Sequence, residues 1–219
     1  MMVRRFDLLV FDWDGTLLDS VDWIVECLQN AACESGLPVP TDAVARSVIG
    51  LSLDEALKAA FPGIDGERIG PLMDAYRRHF FTRQLTAADL FDGVSDMLGE
   101  LRDAGFRLAI ATGKARRGLD HALEQTGVGS LFETTRCADE TASKPDPAML
   151  YEILAVTGIA PHRTVMIGDS IHDLRMAANA GIAGIAVTSG ANNRAELTEM
   201  NPLSCLNRVV ELPAFLHTG

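Results

Sequence analysis

Apolar residues fall along this chain in short unbroken runs, each closed by a polar residue and a glycine. Three runs share that grammar: LLVFDWDG (8–15), FRLAIATGK (106–114) and TVMIGDS (164–170). A fourth, IAGIAV (182–187), ends in TSG. Between them the apolar spacing becomes helical, predicting helices at 93–104, 115–126 and 147–157, with Gly105, Gly127 and Gly158 as left-handed terminators. Continuous apolar strands alternating with helices imply a parallel sheet covered on both faces. The predicted fold is therefore α/β, a doubly wound, Rossmann-like core, with ligands bound beyond the carboxyl ends of its strands.

Residues 17–88 break the pattern. Ser20 stands before a run of apolar positions at helical spacing, Val21, Ile24, Val25, Leu28, Ala31 and Ala32, which ends at Gly36 and Pro38. SLDE (52–55) reads as a capping box opening a second helix that stops at FPG, and a further helix is expected from about Pro71 to Arg83. With no strand signal among them, these residues predict a helical cap, 17–88, inserted into a catalytic core made of 1–16 and 89–219.

The first run raises a physical question. In an extended strand end, Asp12 and Asp14 point one way and Trp13 the other. Two like charges about 7 Å apart repel by roughly 2–3 kcal/mol at an effective dielectric near 20. A buried strand that ends in such a pair needs a compensating partner.

Composition narrows the class of partner. The 219 residues carry a formal net charge of −11, with 47% hydrophobic and 22% charged residues, an ordinary globular balance. An acidic surface without a Lys/Arg-rich run argues against nucleic acid or an anionic membrane as the main partner, and leaves a small anion bound by locally concentrated cations. Cys27, Cys33, Cys137 and Cys205 show no CxxC pairing, which suggests reduced thiols and a cytoplasmic setting. The amino-terminal apolar run is too short and too charged for a signal peptide, and no later stretch reaches the length of a membrane span.

In order, DWDGT, ATGK, SKPDP and GDSIHD resemble the four motifs of the haloacid dehalogenase-like superfamily of phosphohydrolases, in the branch with a helical cap after the first motif. The resemblance covers nearly the whole chain and is nearest to phosphoglycolate phosphatases, departing from them at Trp13 and at LFDGV (90–94), where a proline usually precedes the glycine. It implies that Asp12 is a nucleophile forming an aspartyl-phosphate, and that Asp14 is general acid and then base. It further implies Mg²⁺ held by Asp12, the main-chain carbonyl of Asp14 and Asp169. A carboxylate suits the first role because it is ionised at neutral pH, and oxygen ligands suit Mg²⁺. For Asp14, the acid role asks for a proton near neutrality, which a neighbouring carboxylate would favour. Asp14 is also a plain turn residue before Gly15.

Thr112 and Gly113 are the expected phosphoryl holders, and Lys144, one of only three lysines, the cation bridging Asp12 and the phosphoryl oxygens. Asp173, one helical turn after Asp169, would orient metal-bound water or serve as an N-terminal helix charge. Lys114 sits beside the site within reach of substrate or cap. Arg46, Ser52 and Trp23 are cap candidates for the cleft, against the plainer roles of packing or solvation. The five histidines form no ligand spacing, and His172 is expected to point away from the metal. The implied activity is a Mg²⁺-dependent phosphatase acting on a small phosphorylated metabolite. A phosphosugar mutase shares all four motifs. A non-catalytic phosphorylatable switch would need neither the cap nor an acid at position 14, and the dehalogenases of the superfamily lack that acid.

Overall fold

The computed structural model describes residues 4–218. Six parallel strands form one sheet in the order β3-β2-β1-β4-β5-β6: β1 (Leu8–Phe11), β2 (Arg107–Thr112), β3 (Thr134–Cys137), β4 (Thr164–Gly168), β5 (Ala183–Val187) and β6 (Ser204–Leu206). β1 lies at the centre, pairing Phe11 with Ile110 on one side and with Ile167 on the other. Its residues alternate between faces. Leu9 and Phe11 join one hydrophobic layer, Leu8 and Val10 the opposite one.

The helices α5 (Val94–Asp103), α6 (Arg116–Thr126), α7 (Ala148–Thr157), α8 (Ile171–Asn179), α9 (Arg194–Glu199) and α10 (Leu212–Thr218) complete the core. Gly127 and Gly158 end α6 and α7 with φ of 74° and 68°, the conformation that a side chain disfavours. The chain order reverses at β1, with β2 on one side and β4 on the other, so the loops after β1 and β4 open a crevice at the sheet's carboxyl edge.

Two strands are absent from the apolar pattern. TTRC and SCL form β3 and β6 at the two sheet edges, where most of their side chains are only half-buried and need not be apolar. Edge strands are set by pairing with a neighbour, a signal the local sequence lacks.

The inserted helices are α1 (Val21–Glu34), α2 (Asp42–Ser47), α3 (Leu53–Ala60) and α4 (Gly66–Phe80), with α1 packed on α4. They share a hydrophobic cluster of their own, running from Val21 to Ala75. Leu17, Leu18 and Leu85, inside the range assigned to the cap, pack instead in the sheet's layer. The chain leaves and returns side by side: Asp19 donates its N–H to the Asp89 carbonyl (2.9 Å) and Phe91 to that of Leu17 (3.0 Å).

Three local expectations change. α4 begins at Gly66 rather than Pro71, because Asp65 caps it by accepting the Glu67 N–H at 3.0 Å and Pro71 is carried inside the helix. α2 is a helix the pattern did not announce, capped by Thr41. The box at the start of α3 is half made: Ser52 Oγ accepts the Glu55 N–H at 3.3 Å, but the Ser52 N–H goes to Ser143 Oγ across the cap–core boundary at 2.8 Å.

Candidate active site

Asp12 follows β1 directly, and its N–H donates to the Ile167 carbonyl of β4 at 2.9 Å. Asp12 and Asp14 both line a cavity of about 630 Å³ between sheet edge and cap, while Trp13 is buried in the hydrophobic layer with its indole N–H unpartnered. The alternation expected of the strand end is therefore present, and each carboxylate meets a different lysine. Lys144 Nζ donates to Asp12 Oδ1 at 2.7 Å; Lys114 Nζ donates to both oxygens of Asp14 at 2.8 and 3.0 Å. Two of the chain's three lysines thus answer the two charges.

The charged partner of Asp14 is the Lys114 cation and not a neighbouring carboxylate, so the like charge expected beside it is absent. Ser20 adds a third hydrogen bond to Asp14 at 2.7 Å. Ser20 occupies the N-cap position of α1 without making the capping bond, its hydroxyl being spent on Asp14.

Behind Asp12 lies a denser cluster. Oxygens of Asp12, Asp169 and Asp173 all come within 4.8 Å of one another, and all three residues are buried. The Asp14 side chain is outside this cluster. Lys144 Nζ bridges Asp12 and Asp173, the latter at 2.6 Å, and is itself fully buried. Asp173 also accepts the Ser170 N–H and hydroxyl, at 3.1 and 2.6 Å, as the box that opens α8. Asp169 is held by the Thr16 hydroxyl and the Ala191 N–H, both at 2.7 Å. Backbone crowds these carboxylates: a Cβ on Gly15 would stand 2.4 Å from Asp169 Oδ2, and one on Gly190 1.9 Å from it.

One lysine does not balance three buried carboxylates. Burial, reinforced by Asp173 and Asp169 against the pull of Lys144, lifts Asp12 well above the usual carboxylate range. Burial and Asp173 push Asp169 up to about 7. Burial alone disfavours the Lys144 ammonium, but Asp12 and Asp173 outweigh it and hold Lys144 above the ordinary lysine range. A divalent cation fits this donor set, which is all oxygen, buried and short of positive charge.

Thr112 ends β2 on the cavity wall, its hydroxyl accepting the Lys114 N–H at 3.2 Å. Gly113 lies under the cap: a Cβ there would stand 2.4 Å from the carbonyls of both Gly50 and Leu51. Ser52 lines the same cavity. Arg46 does not; it forms an exposed ion pair with Asp22 on the cap surface. Trp23 is likewise outside the cavity lining, donating to the Phe80 carbonyl at 3.4 Å. His172 turns to the cap, where Nε2 meets the Ser47 carbonyl at 3.0 Å.

Thr16, Ser20 and Ser170 were missed among the site residues because hydroxyls that serve as second partners of carboxylates carry no spacing signal. The aromatic residues that reach the cavity from α4, Tyr76 and Phe80, share one helix face at i, i+4, the only trace they leave in the sequence.

The family model for haloacid dehalogenase-like hydrolases matches residues 9–187. The chain belongs to this family. It is 31% identical over 209 residues to the phosphoglycolate phosphatase of Vibrio cholerae, covering 91% of this chain and 92% of that one, which sets it in the phosphoglycolate phosphatase-like branch. It is also 36% identical over 184 residues to the tyrosine-protein kinase PtkA of Mycobacterium tuberculosis, covering 84% of this chain but only 62% of that protein's length. A hydrolase from Pseudomonas syringae shares the fold at a TM-score of 0.86 and 22% identity, covering 96% of this chain and 97% of that one. No helix among the described residues is long and apolar enough to cross a membrane.

Proposed function

We propose that this member of the family hydrolyses a small phosphomonoester through an aspartyl-phosphate on Asp12, with Mg²⁺ as cofactor. The observation that carries the reading is Asp12 and Asp14 together at the floor of a capped cavity, Asp14 bound by Lys114 and Asp12 by the buried Lys144 that it shares with Asp173. Asp12 and Asp169, with Asp173 behind them and the Asp14 main-chain carbonyl that the resemblance adds, would hold the cation, which when bound neutralises charge on the phosphoryl oxygens.

The residues then divide the work. An Asp12 oxygen attacks phosphorus as the bond to the leaving oxygen breaks, and that oxygen takes a proton from Asp14. Lys144, fixed by Asp12 and Asp173, faces the charge that builds on the phosphoryl group, and Thr112 with the Gly113 N–H holds its remaining oxygens. Asp14, now a carboxylate steadied by Ser20 and Lys114, takes a proton from water whose oxygen attacks phosphorus. The bond to Asp12 breaks, phosphate leaves and Asp12 is regenerated. The cap excludes bulk water while this happens.

Phosphate release from a panel of small phosphomonoesters, with Mg²⁺ and with EDTA, tests the reading. Mg²⁺-dependent turnover, with an Asp14→Asn variant that accumulates a phosphoryl adduct on intact mass, supports it. Turnover unaffected by EDTA, or by loss of Asp12, overturns it. A second reading, transfer of the same phosphoryl group to an acceptor hydroxyl instead of water, is favoured by the likeness to PtkA and includes the mutase alternative. Phosphorylated acceptor without matching free phosphate would identify it.

A further inference from the structure

The floor and the roof of the cavity differ in chemistry. The floor carries Asp12, Asp14, Thr112 and Lys114; the roof, supplied by α1, α4 and the loop after α2, is built from Ile24, Leu28, Ile49, Met73, Tyr76 and Phe80. Tyr76 and Phe80 stack, with ring centroids 5.8 Å apart and planes inclined by 21°. The Lys114 ammonium sits 4.6 Å from the Phe80 ring centroid while it binds Asp14. Asp14, Lys114, Phe80 and Tyr76 therefore form one continuous wall of the cavity that begins at the proposed acid. Burial, with Asp14 and Cys27 nearby, holds the Tyr76 hydroxyl well above its ordinary range, so the aromatic part of this wall stays uncharged.

Beyond Lys114, the cations of the cavity lining stand at its exposed rim. Arg77 is exposed and paired with Asp74 at 3.3 Å, and Arg117 is exposed and lies over the Phe81 ring at 5.7 Å. The carboxylates Asp54 and Asp139 line the cavity as well. A leaving group that carries its own carboxylate would find, among the described residues of the lining, no buried cation except Lys114, which Asp14 already holds. Volume points the same way. Cavities of about 300–1,000 Å³ enclose ligands of drug size, so a two-carbon leaving group would leave most of the 630 Å³ to water against apolar walls.

Resting on the phosphatase reading above, we infer that the substrate is a phosphomonoester whose leaving group is an uncharged ring of metabolite size, packed on the Tyr76–Phe80 shelf. These two residues select the leaving group; they do not take part in the bond changes.

The test compares kcat/KM for benzyl phosphate, ethyl phosphate and 2-phosphoglycolate with Mg²⁺, in the wild-type protein and in Phe80→Leu and Tyr76→Leu. All three esters release primary alcohols, so differences report the cavity more than the chemistry. The expected result is a kcat/KM for benzyl phosphate at least 10-fold above that for 2-phosphoglycolate. The benzyl-to-ethyl ratio should fall about 3- to 10-fold in each variant, the worth of an aromatic contact. A 2-phosphoglycolate rate equal to or above the benzyl rate overturns the inference and leaves the phosphatase reading standing. A benzyl-to-ethyl ratio unchanged by both variants also overturns it. Turnover of none of the three by folded protein defeats the phosphatase reading. Calorimetric binding to Asp12→Asn then decides the shelf separately: benzyl phosphate binding more tightly than 2-phosphoglycolate supports it, and the reverse order overturns it.

Discussion

Replacing Asp169 by Asn removes one charge from the buried carboxylate cluster while keeping its shape. The asparagine carbonyl can accept the Ala191 N–H, and its NH₂ can donate to the Thr16 hydroxyl, which rotates to accept; both wild-type bonds are 2.7 Å. The charge itself is costly in the metal-free protein. Burial and Asp173 raise Asp169 from an ordinary value of 3.8 to about 7. The folded protein therefore holds that proton more tightly than the unfolded chain does. Its contribution to stability is full below about pH 4 and is lost as pH rises toward 7, by up to about 4 kcal/mol. Asparagine resembles the protonated acid at every pH. In EDTA at pH 8 the Asp169→Asn protein should be about 1–4 kcal/mol more stable than wild type, a rise in melting temperature of roughly 2–9 °C for a chain of this length. Its stability should also fall less steeply between pH 4 and 7, Asp12 supplying the remaining slope. Thermal and urea unfolding from pH 4 to 8.5, with EDTA and with Mg²⁺, measures both, and Mg²⁺ should stabilise wild type more than the variant. A variant less stable than wild type in EDTA at pH 8, or a flat wild-type profile between pH 4 and 7, refutes the claim that desolvation and repulsion dominate this residue.

Asp12→Asn should abolish phosphate release with the melting temperature unchanged or raised in EDTA, since one of three crowded carboxylates becomes neutral; activity assay and calorimetry on the same preparation check it. Lys144→Met should cost about 3–5 kcal/mol in urea unfolding without metal, because it leaves Asp12 and Asp173 buried without their shared cation. Mg²⁺ should recover part of that loss. Arg46→Ala should alter kcat/KM less than twofold and stability by under about 1 kcal/mol, as expected of an exposed ion pair. A large kinetic effect would return Arg46 to the substrate side of the cap.

The strands that carry the chemistry were legible because they are buried on both faces. A run such as LLVF must be apolar throughout, so Asp12, Thr112 and Asp169 stand out where the apolar residues stop. The capped glycines and the helical spacing of α5, α6 and α7 are local in the same sense, fixed within one or two turns of chain. The edge strands β3 and β6 escaped notice because their neighbours, not their own side chains, make them strands. Of the charge partners, Lys144 on Asp12 was expected, while its second contact to Asp173 and the Lys114–Asp14 pair were not. Lys144 lies 132 residues from Asp12, and Lys114 lies 100 from Asp14. The motif resemblance placed both lysines near the site and Lys144 on Asp12, but the further contacts to Asp173 and Asp14 depend on the order of strands in the sheet and on the closed cap. Asp173, expected to orient metal-bound water or to serve as an N-terminal helix charge, stands in the first turn of α8 in the capping box with Ser170, and tertiary packing adds the Lys144 contact. The cavity roof is the most strongly tertiary feature of all. Its aromatic wall arises where α4 crosses above the sheet edge, a placement that long-range packing decides and that no local pattern of residues records.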